Sequence, residues 1–259
     1  MLKSLKNTAI SLWDFLKKPI DKQDQDQSAK EQRRALISVL TIDIPLMLLL
    51  SVIIVLFEQL GLVKSDNHRV AQLLQFAPVW AVYLIVVVAI PFVEELVFRF
   101  FLRWRRNYIL QLIVALFPNT KSFLYRFWKR RFGIIFYLSA AAFALIHITN
   151  YAGENTAFYI FPVLVLPQFI AGFFSGYLRV RYNSMLGYFL HALHNAIFIT
   201  VAFLLAETVS QAQLDINNDR FSLKIEGVTR SSVANIYDYQ QRFPSHCWHR
   251  AAKRSICID

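Results

Sequence analysis

Long, largely apolar runs recur along this chain, and their lengths set the architecture. Residues 35–57, ALISVLTIDIPLMLLLSVIIVLF, form the first. Others cover about 77–101, 133–150, 157–178 and 184–206. A helix needs about 20 apolar residues to cross the hydrocarbon of a bilayer. Open strands would leave backbone N–H and C=O groups unsatisfied in lipid. The pattern therefore predicts an all-α, polytopic helical membrane protein with about five transmembrane helices plus interfacial helices.

The N-terminus follows a different period. Leu2, Leu5, Ala9, Leu12, Trp13 and Leu16 recur at helical spacing, with Lys3, Lys6 and Lys17 flanking the stripe and Lys18 opposite it. That predicts an amphipathic helix lying on an anionic membrane face, not a signal peptide, which needs an uninterrupted apolar core. A polar linker, PIDKQDQDQSAKEQRR, follows. The expected organisation is a cytoplasmic amphipathic helix and linker over 1–34, a membrane domain over 35–207 and a polar tail over 208–259. Asp43, two residues before Pro45, fits the cap of a helix starting there, with a functional acid as the alternative. Gly172 and Gly176 make a GxxxG, a close-packing face for a neighbouring helix, in the same chain or in a second copy as a homo-oligomer.

The net charge is +11, and its distribution argues against nucleic acid. Residues 1–34 hold eight Lys and Arg and residues 102–132 another eight, the loop at 58–75 holds two and that at 151–156 none. ILQLIVALF (109–117) is too short to cross, so the two rich segments share a side, which the positive-inside rule makes cytoplasmic. Seven basic residues of the tail then fall outside, a strain on this orientation. Cys247 and Cys257 stand in the tail without the paired spacing of a zinc site. Cys257, third from the end, is misplaced for prenylation of this chain.

Against that background PFVEELVFRFFLRW (91–104) is anomalous. Glu94, Glu95 and Arg99 occupy a membrane span, where each charge costs about 2.5–3.5 kcal/mol on insertion scales and generally faces protein. Glu95 and Arg99 are spaced i, i+4 and share a helix face, whereas Glu94 is rotated by about 100° from Glu95. A buried ion pair with Glu94 reaching the interface is a sufficient structural explanation for this segment alone. Two other spans add to it. FALIH places Phe143 four residues before His147, and FLHALHNAIF puts His191 and Asn195 on one face with His194 beside them. A carboxylate and an imidazole can hold and deprotonate water, and a second imidazole with a carboxamide can stabilise an oxyanion. No GxSxG, HExxH or intramembrane Cys offers a competing protease chemistry.

In this order, EELVFR, FALIH and HALHN resemble the EExxxR, FxxxH and HxxxN motifs of the CAAX prenyl protease and bacteriocin-processing family of intramembrane endopeptidases, over about residues 77–206. The resemblance implies hydrolysis of a peptide bond in a membrane-embedded or lipidated substrate. It makes Glu94 the water-activating carboxylate assisted by His147, gives His191 and Asn195 to the oxyanion, and leaves Glu95 and Arg99 to order the site. The family has been described as both glutamate-type and metal-dependent. The favoured mechanism requires no cofactor, and the zinc alternative would use Glu94, His147 and His191. A bacterial cytoplasmic membrane, N-terminus inside, is the expected location. A non-catalytic immunity or scaffold protein of the same fold and a proton-relaying transporter are the competing readings. One obstacle stands out. If the third and fifth spans run the same way and are centred, His147 and His191 differ in depth by roughly 14 Å at 1.5 Å per residue.

Overall fold

The computed structural model describes residues 2–23, 27–62, 77–150, 158–210, 213–218 and 221–226. The loop at 151–156, most of the loop at 58–75, and Cys247 and Cys257 lie outside them. The chain divides into two units, Met1–Thr200 and Val201–Asp259. The second holds the end of the last helix and an antiparallel hairpin, β1 (Gln213–Asn218) paired with β2 (Phe221–Glu226) from Gln213 opposite Glu226 to Asn218 opposite Phe221. The first unit is helical and carries every motif.

Helix α1 spans Leu2–Lys17. Its stripe is covered only in part by protein. Leu12 and Phe15 enter the core, where the Phe15 ring meets Phe136 at 5.1 Å and Tyr177 at 5.4 Å, while Ile10 and Trp13 remain exposed.

Helix α2 spans Ala29–Gln59 and begins well before the apolar run. Ser28 Oγ accepts from the Glu31 N–H at 3.3 Å and Glu31 Oε2 accepts from the Ser28 N–H at 2.8 Å. This capping box satisfies two otherwise orphaned donors. Pro45 is therefore inside the helix and Asp43 is not a cap. Buried Ala35, Val39, Asp43, Met47 and Leu50 form one seam, and Ile37, Leu48, Leu49, Val52 and Leu56 lie exposed on the other side, as lipid-facing residues should.

Helix α3, Val79–Arg99, alternates between α and π geometry, with π segments at Tyr83–Ala89 and Glu95–Arg99. After a 3₁₀ turn at Trp104–Arg106 and the nine-residue α4 (Tyr108–Leu116), the chain enters α5, Lys121–Ile146. The basic, aromatic KSFLYRFWKRRF is thus the opening of a membrane helix. Asp21 of the N-terminal linker ties this region down by accepting from the Trp104 backbone N–H at 2.7 Å and from Trp128 Nε1–H at 2.8 Å.

Among the described residues four helices are long and apolar enough to cross a bilayer: α2, α3, the Pro118–Asn150 segment containing α5, and Ser184–Leu204. The run at 157–178 differs. It breaks into short turns before α6, Leu166–Arg181, which at 16 residues is about 24 Å long. Gly172 through Val180 are buried almost without interruption. A Cβ at Gly172 would lie 3.4 Å from Ala140 Cβ and one at Gly176 2.8 Å from Phe136 Cε2. The GxxxG is thus an intrachain face, bringing α6 onto α5. Helix α7, Ser184–Ser210, completes the bundle.

Candidate active site

Three helices deliver the polar groups to one place. Glu94 Oε1 stands 3.6 Å from His147 Nε2, just past the end of α5, and Glu94 Oε2 stands 3.5 Å from His191 Nε2 on α7. His191 Nδ1 faces Glu95 Oε1 at 3.3 Å, and Arg99 Nη1–H donates to the same Oε1 at 3.0 Å. One imidazole therefore lies between the two adjacent glutamates, a nitrogen to each. The 100° offset between Glu94 and Glu95 is what lets them approach His191 from different sides.

The expected depth mismatch is absent: Glu94 meets both imidazoles, although His147 stands just past the far end of α5. Helix α7 starts beside the opposite end of the insertion, where Arg106 Nη1–H donates to Ser184 Oγ at 3.1 Å. His191, the eighth residue of α7, meets the same carboxylate as His147, so the two helices are not centred on one another.

Phe143 explains its place in FALIH. Arg99, 0% exposed, lies with its guanidinium carbon 3.6 Å from the Phe143 ring centroid. His147 and His191 contact the same ring with centroids at 4.6 and 5.5 Å. A buried cation on an aromatic face recovers some of its lost hydration. Two glycines make room. A Cβ on Gly172 would come within 3.2 Å of Arg99 Nη2, and one on Gly187 within 2.9 Å of the Ser175 carbonyl oxygen and 3.3 Å of Glu95 Oε2.

The Phe143 carbonyl accepts from His147 Nδ1–H at 2.7 Å, leaving Nε2 to face Glu94. Asn195 does not reach the carboxylates. Its Nδ2 donates at 2.8 Å to the Val86 carbonyl inside the first π segment. The Ile90 N–H bonds to the Ile85 carbonyl, so in this register Val86 would be served by residue 91. That residue is Pro91, which has no N–H. Asn195 supplies the missing donor and keeps a second amide hydrogen.

Several supporting groups were not singled out from the sequence as part of the site. Arg179 of α6, buried, donates through Nε to the Arg99 carbonyl at 3.2 Å and through Nη2 to the Phe100 carbonyl at 2.6 Å, a cationic cap on the end of α3. Ser139 Oγ–H donates to the Phe98 carbonyl. Asp43 Oδ2 accepts from His194 Nδ1–H at 2.6 Å. Only Asp43 carried a sequence signal, a carboxylate in an apolar run.

Glu94 lies between the two imidazoles with a separate oxygen toward each, and His191 is also engaged by Glu95. Among the described residues no group of three or more His, Cys, Asp or Glu is arranged to hold a metal ion.

Residues 76–197 match the family model described as Rce1-like, type II CAAX prenyl endopeptidase Rce1-like. That interval contains all three motifs. No curated protein and no solved structure matches the chain significantly. With its helices and motif residues so arranged, the membrane core of this chain is similar, over residues 76–197, to the Rce1-like type II CAAX prenyl endopeptidases.

Proposed function

We propose that this protein hydrolyses a peptide bond of a membrane-embedded or lipidated substrate with water activated by Glu94 and His147, without a metal. The observation that carries the reading is the position of Glu94 between two imidazoles from different helices, at 3.6 and 3.5 Å. One water molecule within hydrogen-bond reach of both Glu94 and His147 is compatible with that spacing.

In this mechanism Glu94 takes a proton from water as the oxygen attacks the peptide carbonyl carbon. The resulting oxyanion is stabilised by His191 Nε2–H, when the ring carries both protons and Nδ1–H is held by Glu95, and by the second amide hydrogen of Asn195. Collapse of the tetrahedral intermediate breaks the C–N bond, and the proton on Glu94 passes to the leaving amine. Glu95 and Arg99 take no part in bond changes; they fix His191. The Lys and Arg distribution supports a cytoplasmic N-terminus, and a bilayer is the medium in which a lipidated chain would be presented.

The test is cleavage of an internally quenched, farnesylated peptide ending in a CAAX sequence by the protein in nanodiscs. Glu94→Gln, which keeps shape and removes the base, is expected to lower kcat by about a hundred- to ten-thousand-fold. Wild-type activity should also survive treatment with a zinc chelator. Undiminished turnover by Glu94→Gln would overturn the mechanism, and loss of wild-type turnover on chelation would overturn its metal-free form.

A further inference from the structure

A second carboxylate–imidazole couple stands behind the first. Asp43 is 1% exposed in the middle of α2, and among the described residues its ion-pair partner is His194 of α7, at 2.6 Å. Among the described residues no Lys or Arg forms an ion pair with it, so the chain bears the cost of a buried carboxylate. Asp43 Oδ1 has no hydrogen-bond partner among the described side chains and backbone, and it lines a small cavity shared with Arg99, Ser175, His191 and His194. The His194 ring is backed by Phe198 at 4.7 Å between centroids.

We infer that Asp43 is a positioning residue of the hydrolytic site, acting through His194 to set the face that α7 turns toward the glutamates. The inference rests on the hydrolytic reading above. At about 100° per residue, His194 points about 60° from His191 and about 100° from Asn195 around α7. Asn195 holds one side of the helix to α3 through the Val86 carbonyl, and His194 holds another side to α2 through Asp43. Between these two bonds α7 is clamped in rotation. A turn of tens of degrees would carry His191 Nε2 away from Glu94 and leave the helix otherwise packed. The carboxylate accepts from Nδ1–H and fixes the His194 ring in one orientation and tautomer.

The experiment uses the full chain in nanodiscs, with Asp43→Ala, Asp43→Asn, His194→Ala and the Asp43→Ala/His194→Ala double variant. With the farnesylated peptide, each single alanine is expected to lower kcat about ten- to a hundredfold with KM within about twofold, since small misplacement of a reacting group costs on that order. The double variant should fall no more than about threefold below the worse single one, because both remove the same clamp. Losses that multiply, or that follow the folded fraction, overturn the inference. Asp43→Asn keeps the shape and carries the test if the alanine variants do not assemble. A second readout needs no turnover: the histidine ¹⁵N spectrum, assigned with His191→Ala and His194→Ala. Asp43→Asn is expected to shift the ring nitrogens of His191 as well as those of His194, and a change confined to His194 overturns the inference. If the wild type fails to cleave the peptide while the His191 signals still shift, the hydrolytic reading fails and the positioning contact stands.

Discussion

The two ends of α5 are held by different physics. Its first four turns, to Phe136, are an aromatic wedge. Trp128, Phe132 and Phe136 are buried, in contact with one another and with Trp104, Phe15 and Phe173. The rest of the helix carries small residues, Ser139, Ala140 and Ala144, and then Phe143 and His147 against the glutamates and Arg99. In the wedge large rings fill space, so many nearly equivalent contacts share the load. In the rest, small residues let three helices approach until a few polar bonds fix the geometry. A loss in the wedge should therefore be spread out and cost stability, whereas a loss near His147 should be local and cost chemistry.

Arg99→Ala is the most severe way to break that comparison. It leaves Glu95 buried and without its cation, a defect of about 3–5 kcal/mol, and removes the group that Phe143 supports. Both thermal stability and peptide cleavage should collapse. The sharper form is Glu95→Gln with Arg99→Met, which removes both charges at similar volume. Thermal stability should return most of the way while cleavage stays lost. Recovery of cleavage in that double variant would show that the pair serves packing alone.

How the site could be read from the sequence follows the same division. The i, i+4 spacings of Glu95 with Arg99, Phe143 with His147 and His191 with Asn195 are local, and periodicity alone places each pair on one face. The convergence of those faces is not local. Asp43 meets His194 across 151 positions, and nothing near Asp43 names its partner. Periodicity also states that a face is buried without stating by what, which is why the α1 stripe suits lipid and protein equally. The π segments of α3 left one trace, Pro91, whose missing N–H is answered by Asn195. The capping box at Ser28 and Glu31 was fully legible in SAKE and moves the start of α2 ahead of the apolar run. The order of the apolar helices was readable because lipid enforces apolar runs, but their bounds were not: α2 and α5 begin ahead of their runs and the run at 157–178 breaks into turns before α6. The meeting of His147 and His191 at Glu94 is a tertiary contact that composition does not fix.

Phe136→Ala tests the wedge. Phe136 is 1% exposed and touches Phe15, Phe132, Tyr137 and Phe173, and it lies beneath Gly176. Truncation should cost about 3 kcal/mol or more through lost contacts and a cavity, seen as a lower unfolding temperature in nanodiscs. Cleavage per folded molecule should stay within about twofold of wild type. A kcat loss as large as the one expected for Asp43→Ala would mean that the wedge sets the site and that the division along α5 is false.

The smallest effect belongs to the linker. Trp128→Phe keeps an aromatic ring in the wedge and deletes only the Nε1–H bond to Asp21 Oδ2, which retains the Trp104 backbone N–H. One hydrogen bond of this kind contributes about 1 kcal/mol. Release of the linker without unfolding of the bundle should follow, because Asp21 lies before α2 and its bonds hold that segment to the start of α5. The measurable consequence is tryptic cleavage after Lys22, which should accelerate about fivefold if opening is in rapid equilibrium, with peptide hydrolysis unchanged. An unaltered cleavage rate at Lys22 would show that the Trp104 N–H and the Arg103 ion pair suffice to anchor Asp21. A parallel fall in hydrolysis would instead show that the linker bond is coupled to the polar part of α5, some three turns farther along the same helix.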